Sequence, residues 1–136
     1  MQDQTAGNAS ILIADDDGTV RSLIVAICQR HGAAVSVAGD GRKVDNLLQA
    51  GKRYDVIVLD LLMPHASGWD LIERIRQSPA NGDTPVIVMT GAHIAPPERE
   101  RLLEKVSAIV DKGAFRIARF EELLQDILQS RPQPNG

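Results

Sequence analysis

The chain is short of several things, and each shortage excludes a class of protein. One cysteine, Cys28, occurs in 136 residues. No internal disulfide can therefore form, and a reducing cytoplasm is the expected setting. Cys28 falls beside the apolar stripe of an expected helix, where a small packing residue is its simplest role. No apolar run approaches the roughly 20 residues of a membrane helix, and the opening MQDQTAGNAS lacks the basic start and apolar stretch of a secretory signal. Positive charge is not in excess either: 15 Lys and Arg against 18 Asp and Glu leave a formal charge of −3. Such a surface has no field to attract nucleic acid or an anionic membrane. Aromatics are only 3% of the residues, and the single tryptophan, Trp69, is expected to anchor the start of a helix rather than bind a ligand.

What is present is the pattern of one globular domain. A hydrophobic fraction of 43% against 24% charged residues suits a single core at this length. The expected limits are residues 10–130, with flexible segments at 1–9 and 131–136. Short β-type runs at Ile11–Ala14, Ala34–Ala38, Asp55–Leu59, Pro85–Thr90 and Ala108–Val110 alternate with segments of helical period. Val20, Leu23, Ile24 and Ile27 form the stripe of a first helix that Gly32 can end. Val44, Leu47 and Leu48 mark a second, ending near Gly51, and Leu71, Ile72 and Ile75 a third. Pro96 and Pro97 open a fourth with Leu102, Leu103 and Val106 turned inward. Phe120, Leu123, Leu124, Ile127 and Leu128 stripe a fifth. Five βα units with right-handed crossovers predict an α/β fold: a five-stranded, doubly wound parallel sheet of order 2-1-3-4-5, flavodoxin-like, whose strand carboxyl ends face the ligand crevice.

The polar residues gather at those ends. Asp15, Asp16 and Asp17 follow the first strand, Asp60 the third, Thr90 closes the fourth, and Lys112 follows the fifth. Any one of these could be an ordinary cap or turn residue. Together on one rim, they are the parts for holding Mg²⁺ and a phosphoryl group: hard oxygen ligands for the cation, and a hydroxyl and an amine for phosphoryl oxygens. Asp17 is expected to be a solvent-facing start to the first helix.

The segments ILIADDDGTVRSLI, VIVLDLLMPHASGWDLI, PVIVMTGA and AIVDKGAF resemble, in order and spacing, the landmarks of the receiver domain of bacterial response regulators, over about residues 10 to 129. D-L-x-M-P-x-x-x-G is the most diagnostic piece. The resemblance implies an acidic pair at Asp15 and Asp16, a phosphoryl acceptor at Asp60, a hydroxyl at Thr90 and an amine at Lys112. It also implies Mg²⁺ held by Asp15, Asp16, Asp60 and the backbone carbonyl of Leu62. The implied partners are a histidine kinase or phosphotransfer protein and a downstream protein target, in a protein that supports only its own phosphorylation and dephosphorylation and is no enzyme in the ordinary sense.

A second resemblance competes at DDDGT. Phosphatases of the haloacid dehalogenase superfamily carry Asp-x-Asp-Gly-Thr here, which would make Asp15 the nucleophile and Asp17 a general acid. That reading needs a further acidic motif on a later strand, but Glu121, Glu122 and Asp126 share one expected helix. It also leaves LDLLMPHASGW unexplained. A third possibility is a pseudo-receiver that only binds partners, although such chains usually lose acids that this one keeps.

Two positions depart from the receiver pattern. Ile109 stands where the family has an aromatic that turns inward on activation, and Gly113 follows the lysine where Pro is common; a cis bond before Gly113 would be costly. KGAF and the charged helix after it resemble receivers fused to hybrid kinases. Leu62 and Ala92 flank the site and are expected to influence phosphoryl lifetime. Among the histidines, His31 at a helix end suits a dipole-facing or surface role, His65 lies near Asp60 and could tune its access, and His93 falls in the loop after the fourth strand.

Overall fold

The computed structural model describes residues 9–63, 66–91 and 93–130. The expectations for His65, for Ala92 and for the two end segments up to residue 8 and from 131 lie outside the described residues. The chain runs β1 (Ser10–Ala14), α1 (Gly18–Arg30), β2 (Ala34–Ala38), α2 (Gly41–Gln49), β3 (Val56–Asp60), β4 (Leu62–Met63), β5 (Ala66–Ser67), α3 (Gly68–Gln77), β6 (Val86–Thr90), α4 (Pro96–Leu103), β7 (Ala108–Asp111), a 3-10 turn (Lys112–Ala114) and α5 (Ile117–Gln129).

Five parallel strands form one sheet in the order β2-β1-β3-β6-β7. With the two-residue strands set aside, this is the expected 2-1-3-4-5. The addition is a small antiparallel pairing of β4 with β5 between the third strand and its helix, which no hydrophobic pattern announces because each strand is only two residues long.

Alternation along the buried strands builds both faces of the core. Leu12, Ala14, Ile57, Leu59, Val86 and Val88 point to one side, where Val44 and Leu48 of α2, Leu71, Ile72 and Ile75 of α3 and Leu102 of α4 cover them. Ile11, Ile13, Val56, Val58, Ile87 and Met89 point to the other, under Ile24, Ile27 and Cys28 of α1 and Phe120, Leu124 and Leu128 of α5. Each fully buried aliphatic side chain contributes roughly 1.5–3 kcal/mol over leaving it exposed. The edge strands β2 and β7 are only partly covered.

Several expectations are corrected. Leu23 is 38% exposed, because the inward row of α1 is Ile24, Ile27 and Cys28, and turning Leu23 in would turn Cys28 out. Cys28 is fully buried, and burial pushes its thiol up to about 12, an inert packing group as expected. Leu103 is 45% exposed: α4 has two turns and buries only Leu102, while Val106 is buried just beyond its end. Of the two roles expected of His31, the helix-end one holds and the surface one does not. His31 caps the carboxyl end of α1, is 4% exposed, and its Nε2 lies 2.7 Å from Glu121 Oε2 on α5. Ala9 is buried, and its carbonyl accepts from the Ala34 amide, which anchors the start of β1.

The amino-terminal end of the sheet is closed by a buried hydrogen-bond network. Asn81, wholly buried, accepts from the Tyr54 amide (2.8 Å) and the Thr84 hydroxyl (3.0 Å) on Oδ1 and donates to the Lys52 carbonyl (2.9 Å). One amide thus ties the loop before β3 to the loop before β6. Asn81→Ala leaves the buried Tyr54 amide without its acceptor and is expected to cost about 2–4 kcal/mol, read as a lower urea midpoint at unchanged slope.

Candidate functional site

The opposite end of the sheet carries the charge. Strand register brings it there: Ala14 pairs with Leu59, Asp60 with Met89, and Thr90 with Asp111. The Asp15 amide donates to the Ala38 carbonyl and the Leu61 amide to the Met89 carbonyl, so the chain stays in sheet-like pairing up to the residues that carry the carboxylates. Asp15, Asp60 and Thr90 are all buried, at 2%, 4% and 4% exposure, and Asp16 is exposed.

Lys112 reaches across from beyond β7. Its Nζ lies 2.9 Å from Asp60 Oδ2 and donates to Asp15 Oδ1 at 3.0 Å, with Asp15 Oδ2 at 2.9 Å. The Leu62 amide donates to Asp60 Oδ1 (3.0 Å) and the Asp17 amide to Asp15 Oδ1 (2.8 Å). The Asp17 carboxylate faces the other way, accepting from the Thr19 and Val20 amides as the cap of α1, as its expected place at the helix start implies. Sequence reasoning missed Arg21, whose guanidinium donates to the Asp15 carbonyl at 2.8 Å. Its place one turn into α1, six residues after Asp15, was the available signal.

Burial is the largest influence on Asp60 and pushes its carboxyl up. The Leu62 amide and Lys112 pull it down, the Asp15 charge pushes it up again, and the net position is above the ordinary aspartate range. Burial pulls the Lys112 ammonium down, but hydrogen bonds and attraction from Asp60 and Asp15 outweigh it, and the net direction is upward.

One oxygen each from Asp15, Asp16 and Asp60 lies within 4.8 Å of the others. Asp15 Oδ2 is buried and has no hydrogen bond, although the Lys112 ammonium is close by. Three carboxylates opposed by one amine leave two negative charges over, and a hard divalent cation with oxygen ligands fits that deficit. The donor set suits Mg²⁺ rather than a soft metal, there being neither thiolate nor imidazole in the cluster.

The motif glycine has a steric reason. The Gly68 amide donates to the Leu61 carbonyl at 3.1 Å, closing the β4–β5 hairpin back on the end of β3. A Cβ at Gly68 would stand 2.6 Å from that carbonyl oxygen and 2.7 Å from Leu61 Cα, so no side chain fits. Trp69, next along α3, is half-buried against the core, as expected of a helix anchor. With Asp16, Leu62, Thr90, His93 and Ile94 it lines an open groove beside the site. His93 is exposed there, and Leu62 is 62% exposed. Ile109 is half-buried and packs on the face shared with Val88 and Leu102. No cis peptide occurs among the described residues.

The phosphatase reading is not favoured by this geometry. Its acid Asp17 is engaged as a helix cap, and Glu121, Glu122 and Asp126 all lie on α5 rather than on a later strand.

Fold and rim together define a class, the doubly wound acidic-cup domains of two-component signalling, and comparison with known proteins makes the membership specific. The model of the response regulator receiver domain family matches residues 11–125, and the chain belongs to that family. It is 33% identical over 104 residues to the response regulator MprA of Mycolicibacterium vanbaalenii, covering 76% of this chain and 40% of that one. It is 32% identical over 85 residues to the 3',5'-cyclic-nucleotide phosphodiesterase regA of Dictyostelium discoideum, covering 62% of this chain and 11% of that one. The chain thus spans less than half the length of these relatives. Among solved structures, the receiver domain of the sensor histidine kinase PA1611 from Pseudomonas aeruginosa, with a magnesium ion coordinated in its active-site cleft, superposes with a TM-score of 0.76 at 25% identity. That match covers 92% of this chain and 100% of that one. The chemotaxis response regulator CheY4 of Vibrio cholerae gives 0.77 at 25% identity, covering 88% and 98%. No helix among the described residues is long and apolar enough to cross a membrane.

Two outcomes follow for the apo protein. Gly68→Ala forces the hairpin off Leu61 and is expected to cost about 1–3 kcal/mol, seen in chemical denaturation. The folded chain holds the Asp60 proton more tightly than the unfolded chain does, so ionising Asp60 costs stability as pH rises above the ordinary carboxylate range. Without divalent cation, Asp60→Asn is therefore expected to raise the thermal midpoint at neutral pH, by an amount that shrinks as the pH is lowered and the native carboxyl protonates. A lowered neutral midpoint would mean that attraction to Lys112 outweighs burial.

Proposed function

We propose that the chain accepts a phosphoryl group on Asp60 from a phosphohistidine of a histidine kinase or phosphotransfer protein, in the cytoplasm, and signals through a protein contact or passes the group on. The observation that supports this most directly is the pairing of a buried Asp60 carboxylate with Lys112, inside a cluster where Asp15 and Asp16 oxygens lie within 4.8 Å of it. An Asp60 oxygen attacks phosphorus; the new O–P bond forms as the P–N bond breaks, and the electron pair leaves with the imidazole nitrogen. Asp15, Asp16, Asp60 and the Leu62 carbonyl would hold Mg²⁺, which when bound supplies charge neutralisation to the carboxylates and the incoming phosphoryl oxygens. The Leu62 amide orients Asp60 through Oδ1. Lys112, already beside Asp60, offers its ammonium to a phosphoryl oxygen, and Thr90, at the end of the neighbouring strand, is placed to offer its hydroxyl.

An added phosphoryl group brings about −1.5 to −2 charge and strong acceptor oxygens to the rim. The response would run through Thr90 and the loop leading to α4, with Ile109 packing in or out without a hydroxyl to exchange partners. The −3 net charge gives this chain no field to attract nucleic acid, and a protein contact is the proposed output.

Incubation with acetyl phosphate and Mg²⁺ is expected to add the mass of one phosphoryl group to the native chain and to Asp15→Asn at a reduced rate, and nothing to Asp60→Asn. Chelation of divalent cation should abolish the gain. Modification that survives Asp60→Asn and vanishes with Asp15→Asn would transfer the nucleophile's role to Asp15.

A further inference from the structure

We propose that Asp111 is a positioning residue for Lys112: its carboxylate closes a turn through the Gly113 amide and so fixes the backbone from which the Lys112 ammonium reaches Asp60 and Asp15. The proposal rests on the reading of Asp60 as acceptor only for its catalytic consequence, not for its geometry.

Lys112 is poorly supported by the elements around it. It follows β7, an edge strand paired on one side only and nowhere fully buried. After it comes a single 3-10 turn of three residues. A lysine carries about 2 kcal/mol of rotamer entropy, and its Nζ must span from that edge to the centre of the sheet. A loosely held Cα would spread the ammonium over many positions.

Asp111 supplies the restraint. It takes extended backbone angles as the cap of the turn, and its Oδ1 accepts from the Gly113 amide at 2.8 Å, so the bond straddles Lys112. The Phe115 amide closes the far side on the Lys112 carbonyl at 3.4 Å. The lysine ammonium itself pairs with Asp15 and Asp60, which leaves Asp111 to act through the backbone alone. Residue 113 must carry an N–H for this bond, which glycine has and proline lacks. A Cβ at 113 would come within 3.3 Å of Asp111 Oδ1, so glycine also leaves the carboxylate its place. The departure from the Lys-Pro pattern and the aspartate before the lysine are thereby one device.

The test compares the native chain, Asp111→Ala and Asp111→Asn. The asparagine keeps an acceptor oxygen and removes the charge, and the two residues cap turns about equally well. Amide exchange by NMR should show Gly113 protected in the native chain and Asp111→Asn and released in Asp111→Ala. Acetic anhydride labelling, mapped by mass spectrometry, should reach Lys112 faster in Asp111→Ala only. With acetyl phosphate and Mg²⁺, Asp111→Ala should gain its phosphoryl group about tenfold more slowly, since small misplacements of a positioning group cost that much or more. Asp111→Asn should stay within about twofold of native, and all three should melt within a few degrees. A native rate in Asp111→Ala, an Asp111→Asn as slow as Asp111→Ala, or loss of folding in Asp111→Ala would each overturn the proposal. If the native chain takes no phosphoryl group, the Asp60 reading fails, and Gly113 exchange with Lys112 labelling still decides the positioning role.

Discussion

The contact on which the rest turns is the Lys112 ammonium between Asp15 and Asp60, at 2.9–3.0 Å from each. Two unit charges 4 Å apart interact by about 4 kcal/mol at an effective dielectric near 20, so buried carboxylates on neighbouring strands would push the sheet's centre apart if nothing stood between them. One ammonium removes part of that repulsion and leaves the rim still short of positive charge. That unbalanced negative charge is what suits the site to a hard divalent cation. Burial first, with the Asp15 charge adding to it, keeps Asp60 harder to ionise than an ordinary aspartate.

The fold tolerates this because stability is drawn from elsewhere. Two layers of aliphatic side chains sandwich the strands, and the far end of the sheet is closed by the Asn81, Thr84 and Tyr54 hydrogen bonds and by Arg76, whose guanidinium donates to the carbonyls of Thr84 and Lys105. The charged end can then carry electrostatic strain and open groups without unfolding the domain, and the hairpin at Gly68 holds the chain after Asp60 by backbone contact rather than by charge.

Elements around the rim are not equally anchored. The hairpin after β3 is locked by close backbone approach, whereas α4 buries one side chain and leaves Leu103 outside. Ile109 packs near the same Leu102, so the part of the surface nearest Thr90 that can shift most readily is the part with the fewest apolar contacts. Lys112 is the reverse case: a residue just beyond an edge strand made definite by the Asp111–Gly113 turn.

Much was legible in the chain alone. Contiguous Val, Ile and Leu runs ending in Asp or Thr specified buried parallel strands and their polar ends, because a short apolar run and the polar residue that ends it are local properties. The D-L-x-M-P-x-x-x-G spacing pointed to Asp60 through its resemblance to receiver domains. What stayed illegible depends on partners remote along the polymer. Which side of α1 faces the sheet was decided by packing on β1 and β2, and so Leu23 faced out; His31 was drawn inside by Glu121, ninety residues later; Arg21 found the Asp15 carbonyl only once the first loop had closed. Sequence determined which groups stand at the strand ends. The tertiary structure decided that Lys112 lies between two of them, since a distance between side chains on separate strands exists only after the sheet has set its order and register.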